Sequence, residues 1–504
     1  MGFITKYKTE ILFSVGVFVL FCLLRLPTLT QLPIFTDEAI YLRWAQIALH
    51  DANWRFISLT DGKQPLFIWA VLLSMKFIKD PLVAGRLVSV GAGFMTMVGF
   101  FFLGREAFKN RWVGLVSAFL YAIFPFALVY DRMAIYDSLV ATFAIWGIYL
   151  TILLFRQQKL DKALLMGFVT GGAVLNKTNG FFNIYLLPFA FILFDFTQKQ
   201  WQKRLVRLLG LCALVVVMTY GFYSILRLSP YFYIINQKNA VFFYPLSEWI
   251  HHPFLTVFSD FSAFNDWFMR YVGLPLGLTA LAALVIDKKF WREKVLFLLW
   301  FLIPYVGFAF IGRTIYPRYI FPMTLTLLPL VAYTLVVLQN KLSQTKWWIV
   351  VVLVLSYSIL TDFLIIYNFA NSPIPAADKG QYLTAWPAGV GVKETTEYLS
   401  QQAATHKIYI GTEGTFGLMP YALELYLVDN PQVTIKGFWP INSTPPKELL
   451  AAAHKEDTYV VFYQDCPACQ GVGVAPGSWP LQKIIQIKRI EAGSYLTLYK
   501  VLAP

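Results

Sequence analysis

The sequence predicts an α-helical membrane protein that crosses the bilayer many times and ends in a small α/β domain. Three observations predict it. Hydrophobic residues make up 58% of the 504-residue chain and charged residues only 14%, against roughly 25% charged in a soluble domain. Long apolar runs recur between residues 11 and 368, separated by short loops that hold most of the Lys and Arg. After about residue 372 the composition changes to short alternating stretches and amphipathic helical patterns.

Runs of spanning or near-spanning length lie at about 11–27, 82–104, 112–130, 138–155, 163–176, 180–196, 205–226, 272–286, 295–312, 319–338 and 347–368. No A-x-A-like cleavage site follows the first run, so it is expected to remain as a helix. One further run, PLFIWAVLLSMKFI at 65–78, is short and carries Lys76. If it does not cross and the N-terminus is cytoplasmic, the cytoplasmic loops are REAFKNR (105–111), RQQKLDK (156–162), the stretch 199–207, DKKFWREK (287–294) and QNKLSQTK (339–346). All are net positive, as the positive-inside rule requires, and a crossing at 65–78 would invert every one. That run is therefore expected to lie in the outer interface. The result is about eleven transmembrane helices in a plasma (inner) membrane, with the N-terminus cytoplasmic and the C-terminus outside. The net charge of +14 resides mainly in topology-setting loops, and nucleic acid is not an expected partner.

Under that topology the outer face collects a specific polar set. Asp37, Glu38 and Arg43 lie in the first external loop, and Lys63 precedes the interfacial helix. Asp131, Arg132 and Asp137 lie in VYDRMAIYDS, Lys177 in LNKTNG, and Arg313, Arg318 and Tyr319 in GRTIYPRYIFP. Adjacent carboxylates at a membrane surface are costly near lipid and point to chemistry there. A lipid-linked phosphate donor would suit this set. Lys and Arg neutralise its phosphate, and fixed cations stabilise the charge that grows as the glycosidic bond to phosphate breaks. A carboxylate takes the proton of the acceptor hydroxyl. No nucleotide loop or H-E-x-x-H zinc motif is visible.

These motifs resemble the C-type (GT-C) glycosyltransferases of the protein O-mannosyltransferase and aminoarabinose transferase superfamily. The matching residues are TDE at 36–38, K-Q-P-L at 63–66, R-M-A-I-Y-D at 132–137, V-L-N-K at 174–177 and R-Y-I-F-P at 318–322. They fall within a stretch of roughly residues 10–370. Gln64 stands where the family often has proline, and Asn179-Gly180 displaces the glycine expected directly after the lysine. The resemblance implies transfer of one sugar from a polyprenyl-phosphate monosaccharide with inversion, to a protein, glycolipid or glycan acceptor. It implies Asp37 as general base, Asp137 shaping the acceptor or donor-sugar site, and Lys177, Arg318 and Tyr319 holding the phosphate. Lys63 would line the cavity wall. Arg43, Asp131 and Arg132 join it as substrate-binding candidates, and Glu38 joins Asp37 as a catalytic candidate. Such relatives work without an essential bound metal, and the acidic pair leaves room for a divalent ion.

Plainer roles stand beside these. Asp37 and Glu38 suit the first turn of a helix capped by Thr36. Asp131 can pair with its neighbour Arg132, Asp137 can cap a span, and Lys177 and Arg318 can snorkel at span ends. His251-His252 fit an interfacial pair as well as metal ligands, and Cys22 and Cys212 are packing residues. Cys466 and Cys469, in DCPACQG, suit a local disulfide in an oxidising compartment. The alternative function is a transporter or lipid-glycan flippase whose carboxylates are ion or proton sites. The domain division expected is 1–371 for the membrane part and 372–504 for the external α/β part.

Overall fold

The computed structural model describes residues 7–465, 475–490 and 493–503. It divides into two compact units: Met1–Thr28, Arg55–Ala70 and Arg86–Pro375 form one, and Leu29–Trp54, Val71–Gly85 and Ala376–Pro504 the other. The second unit thus joins two segments from the N-terminal part of the chain to its C-terminal domain.

The protein is a mainly helical, multi-pass membrane protein. Among the described residues six helices are long and apolar enough to cross a bilayer: Pro81–Phe108, Asp137–Gln157, Trp201–Leu228, Trp291–Ile311, Phe321–Lys341 and Gln344–Tyr367. A helix satisfies its own backbone groups, which is what hydrocarbon demands. A seventh span is available from Val257–Tyr271 and Gly273–Ile286, which meet at a 96° bend. Gly273 makes that bend with φ +74°, and a Cβ there would meet the Tyr357 ring at 2.6 Å. Of the other expected runs, the first forms the continuous 18-residue helix Lys8–Arg25, and the rest form shorter or interrupted helices. The run at 112–130 divides into Arg111–Ala122 and Pro125–Tyr130, because Pro125 cannot continue a preceding helix. The run at 65–78 forms the helix Leu66–Met75. Its 10 residues reach about 15 Å, roughly half a hydrocarbon core.

The loops of the first unit sort into two sets. In one, Arg156 bridges Glu106 at 2.8 Å and Glu293 at 2.5 Å, tying together three loops expected on the same face. Lys341 Nζ donates to the Ile286 carbonyl at 2.8 Å, and Arg111 covers the Tyr7 ring, so a fourth loop and the N-terminal end join them. The second set contains residues 61–64, 137, 176–178, 238–242 and 316–319, described below.

The second unit contains a mixed sheet of five described strands in the order β2-β1-β3-β5-β4. These are β1 (Ile408–Glu413), β2 (Val433–Phe438), β3 (Asp457–Asp465), β4 (Leu481–Lys488) and β5 (Tyr495–Val501). β1 runs parallel to β2 and β3, whereas β5 is antiparallel to β3 and β4. The expected strands in HKIYIG, TYVVFY and SYLTLYK are β1, β3 and β5. The expected helical patterns are Val392–Ala403 and Lys447–Ala453. Val460, Phe462, Leu449 and Trp479 form one face's core. The helix Thr36–His50 packs on the helix Leu418–Leu427 within this unit, burying Trp44, Leu42 and Ala45.

Candidate active site

Lys177 caps the C-terminal end of the helix Leu160–Asn176 in extended conformation, with φ −158° and ψ 148°. That departure from helical geometry throws its side chain toward the first turn of Asp137–Gln157, where Nζ donates to Asp137 Oδ1 at 2.8 Å. Asp137 is almost fully buried and Lys177 is one quarter exposed. The ammonium lies 5.5 Å from the centroid of the Tyr319 ring. Tyr319 and Arg318 belong to a short turn, Pro317–Tyr319, and both are 9% exposed. The Arg318 guanidinium covers the Tyr316 ring at 4.8 Å. The structure therefore brings together Asp137, Lys177 and Tyr319 from three separate motifs, with Arg318 on the same turn.

Lys63 lies in the same unit, its Nζ 5.1 Å from the Phe242 ring centroid. Gln64 is buried and its Nε2 donates to Thr178 Oγ1 at 2.7 Å, while the Gln64 carbonyl accepts from Tyr136 OH at 2.9 Å. Gln64 thus links the Lys63 loop to the residue after Lys177. Beside this polar group an apolar cavity is lined by Phe143, Phe182, Trp300, Phe308 and Met323, with Tyr319 in its wall. Tyr319 joins a charged end to a greasy groove.

Asp37 and Glu38 begin the helix Thr36–His50 of the second unit. Asp37 is partly exposed. Glu38, expected to share the catalytic role, is fully buried, and its Oε2 accepts from the Phe35 backbone N–H at 2.9 Å. It closes the helix start from the third helical position, as in a capping box. Phe35 occupies the N-cap rather than Thr36. Arg43, expected to touch substrate, donates from Nε to Glu424 Oε2 at 2.6 Å.

Asp131 and Arg132 also take structural roles. Asp131 is fully buried, and its partner is Arg25 at 2.9 Å rather than the adjacent Arg132. Arg132 Nη2 donates to the Thr28 carbonyl at 2.6 Å and to its hydroxyl at 2.7 Å. Arg25 sits inside an apolar run, where a charge is itself a signal of a buried partner. His251 and His252 are exposed, and His251 Nδ1 lies 2.6 Å from the Ser247 carbonyl. Among the described residues no three His, Cys, Asp or Glu side chains converge as a metal site. Cys466 and Cys469 lie outside the described residues.

Comparison with known proteins adds to this geometry. Residues 62–223 match the family described as dolichyl-phosphate-mannose-protein mannosyltransferase. Over 318 residues the chain is 26% identical to the undecaprenyl phosphate-alpha-4-amino-4-deoxy-L-arabinose arabinosyl transferase of Pseudomonas aeruginosa, covering 60% of this chain. The chain spans only 55% of the length of that relative. In fold it is similar to ArnT from Cupriavidus metallidurans, with a TM-score of 0.61, 14% identity, and 99% of each chain covered. It is also similar to the oligosaccharyltransferase of Archaeoglobus fulgidus, with a TM-score of 0.52, 11% identity, and 92% of this chain and 70% of that one covered. The fold is therefore that of a multi-pass membrane protein with a C-terminal sheet domain, of the kind seen in ArnT. The chain is thus similar over residues 62–223 to the dolichyl-phosphate-mannose-protein mannosyltransferase family, and in fold to ArnT.

Proposed function

We propose that this protein transfers a single sugar from a polyprenyl-phosphate monosaccharide to an acceptor hydroxyl at the outer face of the membrane. The observation that carries the reading is the Asp137–Lys177–Tyr319 group at the mouth of an apolar cavity. A phosphate on an isoprenoid tail needs that combination: a cation at the headgroup level and an apolar wall beside it. Lys177 has three donors, of which one goes to Asp137, leaving N–H groups to meet an anion. Arg318 adds a planar guanidinium suited to phosphate. The P. aeruginosa relative is named for a donor of this class.

The reaction forms a bond between the acceptor oxygen and the anomeric carbon and breaks the bond from that carbon to the phosphate oxygen. Attack from the opposite face inverts the anomeric centre. Asp37 takes the proton of the acceptor hydroxyl, as a carboxylate base can. Polyprenyl phosphate leaves with the bonding electron pair, and its growing charge is met by Lys177 and Arg318. Asp137 orients the Lys177 ammonium rather than touching the acceptor. No protein nucleophile and no essential metal enter these steps. Sidedness follows from the basic loops, which retain Lys and Arg on the cytoplasmic side. The acceptor is a protein, glycolipid or glycan hydroxyl.

The test is release of undecaprenyl phosphate by purified protein in nanodiscs given a panel of undecaprenyl-phosphate monosaccharides, aminoarabinose first, and a cell-envelope acceptor extract. Release that depends on acceptor supports the reading. No release with any donor, or lipid movement across the bilayer without release, overturns it and favours a flippase. Lys177→Met is expected to slow release about 100-fold by removing charge stabilisation of the leaving phosphate. Single-turnover kinetics on the variant checks this, and the added change Asp137→Asn should restore stability without restoring rate.

A further inference from the structure

The helix that starts with Thr36 and Asp37 is held from several sides by the C-terminal part of the second unit. At its start, Thr36 N and Thr36 Oγ1 both donate to the Pro387 carbonyl at 2.9 Å, across 351 positions of sequence. Gly389 N donates to the Ile34 carbonyl at 2.7 Å, and Phe35 and Ala388 form an antiparallel bridge. A Cβ on Gly389 would lie 2.6 Å from that Ile34 oxygen, so the backbones approach as closely as glycine permits. The Phe35 ring meets the Tyr382 ring edge-on at 5.1 Å. Two turns further along, Arg43 pairs with Glu424 at 2.6 Å, and Gln46 Nε2 donates to the Leu425 carbonyl at 3.0 Å.

A helix start ordered only by its own cap would keep much of its freedom, since ordering each residue costs about 1–2 kcal/mol. Displacing a reacting group by about 1 Å can cost about 100-fold in rate. We propose that the C-terminal domain is a positioning device for catalysis: its 387–389 strap and its Glu424, paired with Arg43, hold Asp37 where the acceptor proton is taken. Glu424 and Arg43 are positioning residues and touch no substrate. The proposal rests on Asp37 being the base.

The strap fixes where the helix begins, and the Arg43–Glu424 pair fixes its rotation about its own axis. Together they set the direction of the Asp37 side chain, which the local Glu38 cap alone does not. The domain thereby acquires a role that needs no ligand of its own.

The experiment uses the full-length protein in nanodiscs, the undecaprenyl-phosphate monosaccharide that it turns over, and acceptor at saturation. The variants are Glu424→Gln, Arg43→Gln and the swapped pair Arg43→Glu/Glu424→Arg. Each single variant is expected to lower kcat about tenfold with an unchanged KM for donor. Amide hydrogen exchange should quicken in residues 34–40 and stay unchanged in strand β1. The swapped pair should regain most of the lost kcat, a result that loss through general unfolding would not give. Unchanged kcat in Glu424→Gln, or slower turnover without faster exchange at 34–40, overturns the proposal. If a single variant does not fold, the swapped pair decides: near-normal kcat supports positioning, and a kcat as low as that of Asp37→Asn refutes it. Full activity of Asp37→Asn would instead overturn the reading beneath it, whereas an inactive Asp37→Asn beside a fully active Glu424→Gln overturns this proposal alone.

Discussion

Asp37→Asn is expected to lower the rate of sugar transfer by about 10²–10⁴-fold, the range that a positioned general base contributes. Asparagine keeps the size of the side chain and its ability to sit in the first turn of the helix, but it cannot take a proton. Glu38 does not substitute, because it is fully buried and its Oε2 is committed to the Phe35 N–H. Donor affinity should stay the same, since the phosphate is assigned to Lys177, Arg318 and Tyr319. Thermal stability should stay close to that of the unaltered protein, since Asp37 is partly exposed. Single-turnover release of undecaprenyl phosphate, with donor binding measured separately, checks all three statements. A large loss of donor binding with normal turnover of the bound donor would move Asp37 from base to donor contact.

Asp131→Ala is expected to cost about 3–5 kcal/mol of stability, the loss typical when one partner of a buried ion pair is removed. Asp131 and Arg25 are both fully buried, with Nε to Oδ2 at 2.9 Å. Tyr121 OH lies 3.1 and 3.0 Å from the two carboxylate oxygens. Arg25 Nη1 donates to the Ala122 carbonyl at 2.9 Å, and the guanidinium covers the Phe21 ring at 4.0 Å. Gly93 faces the same carboxylate so closely that a Cβ there would lie 2.3 Å from Oδ2. The pair thus ties the first helix, Lys8–Arg25, to the turn after Pro125–Tyr130 and to the helix Pro81–Phe108. Without Asp131 the Arg25 charge remains in an apolar interior with no counter-charge bonded to Nε. Asp131→Asn should cost less, because it keeps a hydrogen-bond acceptor. Denaturation in nanodiscs measures the loss. A variant that is stable yet inactive would return Asp131 to the substrate-binding set in which its sequence position put it.

The Arg25–Asp131 pair shows why part of the site was illegible. In sequence, Asp131 stands beside Arg132 in a loop that also holds Asp137, and nothing in the string separates a buried lock from a reacting group. The separation depends on which helix passes behind the loop. Arg43 and Glu424 make the same point: helical periodicity places Arg43 on a helix, but its partner is 381 positions away. Glu38 differs, because a local rule explains it. The glutamate sits three residues after the N-cap, and once Phe35 rather than Thr36 is recognised as that cap, the cap bond follows.

Much else was decided by the sequence alone. Apolar length and low charge require helices that satisfy their own backbone, so the membrane class follows from composition. The excess of Lys and Arg in alternate loops sorted those loops into two groups, and the structure brings members of each group together through Arg156 at one end and Lys177 at the other. The alternating pattern after residue 372 announced β1, β3 and β5, whereas β2 and β4, half-exposed at the two edges of the sheet, carry a weaker signal. Tertiary structure alone decided which charges are buried together, which short apolar runs bend or break, and that the acidic helix packs with the C-terminal domain. Those choices depend on contacts between residues hundreds of positions apart, and their energies are set by burial and geometry that no local pattern encodes.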